Sequence, residues 1–176
     1  SMVNLAGAGQ RLKDKVSIVT GGAQGIGLAT VRKFALEGAI VAVADLKAGS
    51  VEGAVDAVRN EIAGARVEGH VVDVTQRGQV DAMVAQLKAR HGRIDVLVNN
   101  AGVFEDNPLS DANADWLANW NRTMQVNLTA SAQLCRHAVL HWQDRQSGGR
   151  IVNIASLAAY RGDSPAHWHY AASKSG

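Results

Sequence analysis

Residues 16–27 read VSIVTGGAQGIG, and this stretch decides the fold. The β-branched run from Val16 to Val19 is typical of a buried strand, and a glycine-rich turn follows it directly. Apolar residues at helical spacing begin at Ile26. A strand, a glycine turn and a helix start form an anion site, because the first helical N–H groups lack intrahelical partners and glycine lets a phosphate approach the backbone. The alternative is a strand–turn–helix corner whose glycines serve packing alone.

The spacing of this turn separates it from two other phosphate-binding patterns. The letters from Thr20 to Gly27 follow T-G-x-x-x-G-x-G. The pattern G-x-G-x-x-G would need a third glycine where Thr30 stands, and a P-loop would need Lys-Ser or Lys-Thr after the glycines. The turn therefore predicts a phosphate near a helix start, and the rest of the chain has to identify the ligand.

The composition indicates one ordinary globular domain. The chain has 176 residues and a net charge of +2, with acidic and basic residues interspersed. That balance predicts neither a nucleic-acid partner nor a membrane-binding segment, and no apolar run reaches membrane-spanning length. The single cysteine, Cys135, rules out an internal disulfide and favours a cytoplasmic location.

The amino-terminal residues contribute little to the fold prediction. Residues 1–11 are expected to be a flexible lead-in, with Ser1 before Met2 interpreted as a cloning remnant. They lack the apolar core of a signal peptide. The domain itself is predicted over residues 12–176, with no internal repeat or linker.

Four further apolar runs alternate with segments of helical periodicity. The predicted strands after the first are 40–44, 66–72, 94–98 and 151–155. A long helix over about 112–146 is expected to break near Asn121, and a last helix is expected to start near Tyr170. This alternation predicts an α/β fold, a doubly wound parallel sheet between two layers of helices. In such sheets, ligands bind beyond the carboxyl ends of the strands.

Acidic residues follow two of these strands. Asp45 is placed to accept hydrogen bonds from both hydroxyls of an adenosine ribose, and its charge would repel a 2′-phosphate. It therefore predicts NAD over NADP, with Lys47 as the one contrary feature. Alternatively, Asp45 caps the next helix, although Ser50 suits that role better. Asp73 is placed for an adenine amino group, or caps the helix after Thr75.

Tyr170 and Lys174 are four residues apart at a helix start, so they share one face. An ammonium near a phenol favours the phenolate, which makes the tyrosine a usable acid or base. Ser156, just past the fifth strand, is placed to donate to a substrate oxygen. The alternatives are a solvated helix face for the pair and a turn serine for Ser156.

Two other features suggest chemistry less strongly. His167 and His169 flank a tryptophan, but a single H-x-H without a third ligand does not predict a metal site. Lining the substrate entrance is the better interpretation. Cys135 lies among apolar residues and is interpreted as a buried structural thiol.

Taken together, these motifs resemble the short-chain dehydrogenase/reductase family, and the resemblance covers residues 12–176. The matching pieces occur in the family's order: Thr20-Gly21-x-x-x-Gly25-x-Gly27, Asp73-Val74, Asn99-Asn100-Ala101-Gly102, Asn127, Ser156 and Tyr170-x-x-x-Lys174. One such match would be weak, whereas six in order are specific.

The resemblance implies a Rossmann fold and a catalytic role for four residues. Tyr170 would be the acid/base, Lys174 would support it and bind the nicotinamide ribose, and Ser156 would hold the substrate oxygen. Asn127 would anchor a water that relays protons to Lys174. The implied cofactor contacts are Gly21, Gln24, Gly25, Ile26, Gly27, Asp45, Asp73, Val74, Asn100, Ala101, Gly102, Tyr170 and Lys174.

The resemblance also implies a reaction and an assembly. The expected function is hydride transfer between NAD(H) and a secondary alcohol or ketone, in a cytoplasmic homodimer or homotetramer. The alternative is a nucleotide-binding sensor or an inactive partner subunit without turnover. Family members continue past Lys174 through two more strands, so we expect the chain to be part of a longer gene product.

Overall fold

The computed structural model describes residues 3–4, 9–156 and 158–176. Within them, the main sheet has five parallel strands: β1 (Val16–Thr20), β2 (Ile40–Asp45), β3 (Arg66–Val71), β4 (Val96–Asn99) and β5 (Arg150–Asn153). Their order across the sheet is β3-β2-β1-β4-β5. The two-residue segments Val3–Asn4 and Ile62–Ala63 pair with each other separately. The predicted doubly wound parallel sheet is confirmed.

Helices follow most of the strands. They are α1 (Gly25–Leu36), α2 (Ala48–Glu61), α3 (Arg77–His91), α4 (Asn113–Met124), α5 (Ala130–Asp144), α6 (Ala158–Arg161) and α7 (Trp168–Ser175). A π-helical turn, Gln125–Thr129, joins α4 to α5, and a 3₁₀ turn, Pro165–His167, leads into α7. None of the helices in the described ranges combines the length and apolarity needed to cross a bilayer.

The sheet is buried on both faces. Side chains alternate along each strand, so Ile18 packs on the face covered by α3 and α5, while Val19 packs on the face covered by α1 and α2. In β2, the residues 41–44 are fully buried, as a continuous apolar run between two helical layers requires. The predicted three-layer arrangement is confirmed.

The long helical region differs from its prediction, because its path does not break near Asn121. The α-helix continues to Met124, and the hydrogen bonding then widens into the π-turn before α5 resumes. A π-turn inserts one extra residue per turn without stopping the helix. Asn121 is a weak helix former but not a terminator.

Other predicted boundaries shift by a few residues. Strand β4 starts at Val96, because the N–H of Ile94 donates to Nε2 of His141 at 3.1 Å and its carbonyl accepts from Nε1 of Trp142 at 2.7 Å. Helix α2 begins at Ala48, so Ser50 lies inside it and does not cap it.

The segments around the last helix also differ in part from expectation. Helix α7 starts at Trp168, two residues before Tyr170. The segment between β5 and Tyr170 contains α6 and the 3₁₀ turn, and Leu157 lies outside the described residues. The lead-in at 1–11 also lies mostly outside them, so its flexibility stays a prediction.

Glu37, at the end of α1, holds the residues before β1 against the domain. Its carboxylate accepts from the Arg11 side chain at 2.9 Å and from the Arg11 N–H at 3.1 Å, and Lys33 lies 3.1 Å away. The carboxylate side chain is 7% exposed. The side-chain hydrogen bond from Arg11, its N–H and the Lys33 ammonium lower the pKa of Glu37 to about 2.

Replacing Glu37 with glutamine is expected to lower the melting temperature at neutral pH. Since the folded-state pKa lies below the unfolded one, the carboxylate stabilises the fold above about pH 4.5, and this contribution is lost as the pH falls toward 2. Thermal melts from pH 7 down to 3 should show the difference between wild type and Glu37→Gln narrowing. Glu61→Gln is the control, because its pair with Arg32 is far more exposed than Glu37, with the Glu61 side chain 44% exposed, and solvent screening should keep its contribution small. A pH-independent difference would contradict the assignment.

Candidate active site

The turns after β1 and β4 are hydrogen-bonded to each other. The Thr20 hydroxyl accepts from the N–H groups of Asn100 and Ala101, each at 3.0 Å. The Asn100 amide donates to the Gly21 carbonyl at 3.0 Å. Because β1 is central and β4 is its neighbour on the far side from β2, this junction is the point where the winding of the sheet reverses. The two glycine-containing turns of the sequence therefore form one structure.

Each predicted glycine of the first turn has a separate physical reason. Gly21 and Gly25 have φ of +60° and +56°, in the left-handed region that favours glycine. A Cβ on Gly27 would overlap the Gly21 carbonyl oxygen and lie 2.5 Å from Nδ2 of Asn100. By contrast, the space around Gly25 is open within 4 Å, and its neighbours Gln24 and Ile26 are exposed. Packing explains Gly27, while Gly25 leaves the backbone open to a ligand.

A cavity of about 150 Å³ lies at the carboxyl ends of β1, β2 and β4, beside the residues that follow β3. Six of the predicted cofactor contacts line it: Gly21, Asp45, Asp73, Val74, Ala101 and Gly102. Asn100 lies one residue from this lining and holds the Gly21 turn. The structure thus brings six of the predicted cofactor contacts, from four strand ends, to one cavity.

The two aspartates of this cavity have different surroundings. Asp45 accepts from the N–H groups of Ala23 at 3.0 Å and Leu46 at 2.8 Å, so it braces the glycine turn and does not cap α2. Asp73 accepts from the N–H and the hydroxyl of Thr75 at 3.0 and 2.7 Å. This closes the turn before α3, but it does not cap the helix as the alternative interpretation of Asp73 expected, because Gln76 holds the N-cap position of α3 and no side chain caps it. One Asp73 carboxylate oxygen makes both bonds, and the side chain still lines the cavity.

Arg122 also lines this cavity and was missed by the sequence prediction. It lies on α4, and its Nε is 3.1 Å from a carboxylate oxygen of Glu105. The sequence could have indicated Arg122 through its position, because it precedes the predicted catalytic residue Asn127 by five residues in the same helical region. The predicted break near Asn121 obscured that connection.

A second cavity, of about 300 Å³, lies between α5, the end of β5 and α7. Two of the four predicted catalytic residues, Asn127 and Lys174, line it. They meet at Gly102, where a Cβ would lie 3.4 Å from Oδ1 of Asn127 and 3.6 Å from Nζ of Lys174. Ala101 lines both cavities, so they adjoin at the turn after β4.

Lys174 is held from the strand side. Its ammonium donates to the Ile154 carbonyl at 3.1 Å, just past the end of β5. Burial lowers the pKa of Lys174 below its ordinary value. A partly desolvated ammonium interacts more strongly with a neighbouring negative charge than a hydrated one does.

Asn127 lies in the π-turn and connects three elements. Its Oδ1 accepts from the Val103 N–H at 2.7 Å, and its Nδ2 donates to the Val103 carbonyl at 3.0 Å and to the Ser173 hydroxyl at 3.1 Å. The side chain therefore joins the loop after β4 to α7. Its expected role in holding a water stays a prediction.

The other two predicted catalytic residues flank the short helix before α7. Tyr170 lies in the first turn of α7, one turn before Lys174, and its ring packs edge-on against Phe104. Ser156 lies at the start of α6, where its Oγ accepts from the Ala158 N–H at 3.3 Å. This is the turn-serine geometry, and it leaves the hydroxyl proton available to an acceptor.

Comparisons with known proteins identify the family of the chain and its fold. A family model described as short chain dehydrogenase matches residues 15–176. The chain is 41% identical over 171 residues to (5R,7aS)-5-hydroxy-7a-methyl-1-oxo-2,3,5,6,7,7a-hexahydro-1H-indene-carboxyl-CoA reductase of Mycobacterium tuberculosis, covering 96% of this chain and 63% of that protein. It is 36% identical to 3-oxoacyl-[acyl-carrier-protein] reductase of Thermotoga maritima, with coverages of 94% and 65%.

Solved structures show the same likeness. A short chain dehydrogenase from Mycobacterium smegmatis superposes with a TM-score of 0.86 at 36% identity, covering 100% of this chain and 70% of that one. NAD⁺-bound xylitol dehydrogenase superposes with a TM-score of 0.83 at 32% identity, with coverages of 94% and 61%. The chain spans about two thirds of the length of these relatives. On the family match and these identities, the chain belongs to the short-chain dehydrogenase/reductase family of oxidoreductases.

Proposed function

We propose that this chain binds NAD(H) and catalyses hydride transfer to or from a secondary alcohol or ketone. The observation that carries the proposal is the meeting of Lys174 and Asn127 at Gly102, next to the cavity formed by the strand ends. Burying an ammonium costs free energy, and the packing of the sheet does not require one. The half-buried ammonium of Lys174 beside Gly102, which lines the strand-end cavity, therefore indicates a functional role. Lys174 follows Tyr170 by one helical turn in α7, and its ammonium lies near the predicted cofactor contact Gly102, which supports the proposed pairing of the two side chains.

The residues of the smaller cavity fit a nicotinamide adenine dinucleotide. The open backbone at Gly25 and the N–H groups at the start of α1 suit a pyrophosphate. Asp45 uses each carboxylate oxygen for one backbone N–H, and a carboxylate has further lone pairs for ribose hydroxyls. Its charge supports NAD over NADP. Among the described residues that line this cavity, Arg122 is the cationic one, and its charge is shared with Glu105.

The proton chemistry falls to the chain's own side chains. Tyr170 would exchange a proton with the substrate oxygen, and Lys174 would favour its phenolate form. The Ser156 hydroxyl would donate to the same substrate oxygen. The nicotinamide ring supplies the hydride or accepts it when bound. Asn127 fixes the distance between α7 and the loop after β4.

The first test is nucleotide binding and turnover in the full protein that carries this sequence. Calorimetry should show NAD⁺ binding at least about tenfold more tightly than NADP⁺, a difference of about 1.4 kcal/mol. In the Asp45→Ser variant this preference should shrink, while Asp14→Ser, an exposed control, should keep it. Absorbance at the NADH band should report oxidation within a panel of polyols, hydroxysteroids, 3-hydroxyacyl thioesters and small secondary alcohols. Binding without turnover on any of these would favour the nucleotide-binding sensor instead.

The assembly and location belong to the same proposal. Leu117 and Leu140 on the long helical region are each 47% exposed, and Val139 is 41% exposed. Exposed apolar side chains on this long helical region suit an interface between copies of the chain, as in a homodimer or homotetramer. A free Cys135 is compatible with a cytoplasmic location.

A further inference from the structure

The loop after β4 and the segment before α7 are joined by three contacts outside the cavities. The Asn107 N–H donates to the Ala166 carbonyl at 2.8 Å. Nε2 of His167 lies 2.9 Å from a carboxylate oxygen of Asp106. The rings of Phe104 and His167 stack with centroids 4.2 Å apart and planes 7° apart. Together these contacts place Phe104 over the amino end of α7.

Phe104 in turn contacts Tyr170. Their ring centroids are 4.7 Å apart and the planes are 80° apart, an edge-to-face geometry. Phe104 is 58% exposed, so this ring is not a core residue. An exposed aromatic ring that packs on a histidine and on the proposed acid/base has a local purpose that core packing does not explain.

His167 is itself fixed in orientation. Its Nδ1 lies 2.8 Å from the Ser164 hydroxyl, and its Nε2 faces Asp106. The hydrogen bond at Nδ1 and the close Asp106 carboxylate at Nε2 both restrict rotation of the imidazole, and so they restrict the face that it presents to Phe104. Asp106 therefore contacts His167, His167 stacks on Phe104, and Phe104 packs against Tyr170.

We propose that Phe104 is a positioning residue that fixes the orientation of the Tyr170 ring, and that His167 and Asp106 hold Phe104 in place. The proposal rests on the proposed role of Tyr170 as acid/base. A tyrosine in the first turn of a helix keeps rotational freedom unless a neighbour restricts it. Displacement of a reacting group by about 1 Å costs on the order of 100-fold in rate, so restricting the ring has a catalytic value.

The test uses the fact that residues 1–176 contain two tyrosines, Tyr160 and Tyr170. Ring-labelled tyrosine NMR on the full protein gives one signal for each, assigned by Tyr160→Phe and Tyr170→Phe. Removing the Phe104 ring in Phe104→Ala should shift the Tyr170 signal, because the ring current disappears and the ring orientation changes. The Tyr160 signal should stay in place, since that side chain is 87% exposed.

Two further variants separate positioning from general damage. Asp106→Ala should shift the Tyr170 signal in the same direction, and Asp106→Asn, which keeps an acceptor oxygen for His167, should restore it. Leu109→Ala removes another exposed apolar side chain from the same loop and should shift nothing. If the Tyr170 signal does not shift in Phe104→Ala, the proposal is wrong, and this outcome does not depend on whether the protein shows turnover.

The kinetic consequence is measured with NAD⁺ and the alcohol of the panel that is oxidised fastest. Phe104→Ala should lower kcat about tenfold and leave the KM for NAD⁺ within about twofold, since Phe104 does not line the cavity of Gly21, Asp45 and Asp73. Phe104→Tyr keeps the ring and should restore kcat. If Phe104→Ala shifts the Tyr170 signal but leaves kcat unchanged, then the claim that the ring orientation matters for catalysis is wrong. If the proposed function fails, the wild type shows no turnover while the signal still responds to Phe104.

Discussion

Replacing Tyr170 with phenylalanine is expected to lower kcat/KM by about 10²–10⁴-fold, the usual contribution of a positioned general acid or base. The substitution removes the phenolic oxygen and keeps the ring, so the edge-to-face contact with Phe104 survives. Helix α7 and the Lys174 bond to the Ile154 carbonyl should also persist. Steady-state kinetics with NAD⁺ on the best alcohol of the panel checks the loss.

The controls for this variant are unusually direct. Tyr160→Phe makes the same chemical change on α6 at a side chain that is 87% exposed, and it should leave kcat/KM unaltered. Calorimetry should give an NAD⁺ affinity for Tyr170→Phe close to that of wild type, because the substitution leaves Gly21, Asp45 and Asp73 of the strand-end cavity unchanged. Full turnover in Tyr170→Phe would remove Tyr170 from the chemistry and refute the proposed mechanism.

Placing alanine at Gly27 is expected to abolish nucleotide binding and to lower the free energy of unfolding by about 1–3 kcal/mol, the usual cost of overpacking. The new methyl group would overlap the Gly21 carbonyl oxygen and crowd the Asn100 amide. Both atoms belong to backbone or to a side chain held by a hydrogen bond, so neither moves without opening the turn. Calorimetry with NAD⁺ and thermal melts measure the two effects.

Two other glycines separate crowding from backbone strain. Gly25→Ala adds a methyl group to open space but at a φ of +56°, so it should disturb binding through the backbone alone and less severely. Gly53→Ala lies inside α2 with open space around it and should raise stability, by about 0.5–1 kcal/mol. If Gly27→Ala bound NAD⁺ as tightly as wild type, the packing explanation for this glycine would be wrong.

Much of the fold could be predicted because buried parallel strands leave a strong pattern. The apolar run ending at Asp45 is buried on both faces, and few other structures require such a run. The strand-end residues could likewise be expected to converge, since parallel strands end at one edge of a sheet. Asp45, Asp73 and Gly102 do line a common cavity.

The features that escaped prediction depend on hydrogen bonds or packing between distant segments. A π-turn at Asn127 changes the hydrogen-bond register by one residue and leaves the apolar pattern nearly intact, so residue types do not indicate it. The contact of Phe104 with Tyr170 joins a loop to the first turn of α7, 66 residues later in the chain, and loop conformation has no periodic signal. Helix caps were mispredicted for a similar reason, because Ser50 is a good cap by type but α2 starts two residues before it.

The hydroxyl of Thr20 has a consequence for how tightly a ligand is held. This one group accepts two backbone N–H groups from the turn after β4 and lies 3.4 Å from the Val98 carbonyl, to which it donates. The conformational entropy of both turns is thereby spent during folding, and a nucleotide that touches both meets surfaces already in their bound arrangement. The free energy gained by contacts at one end of the ligand is therefore not lost in ordering the turn that contacts its other end.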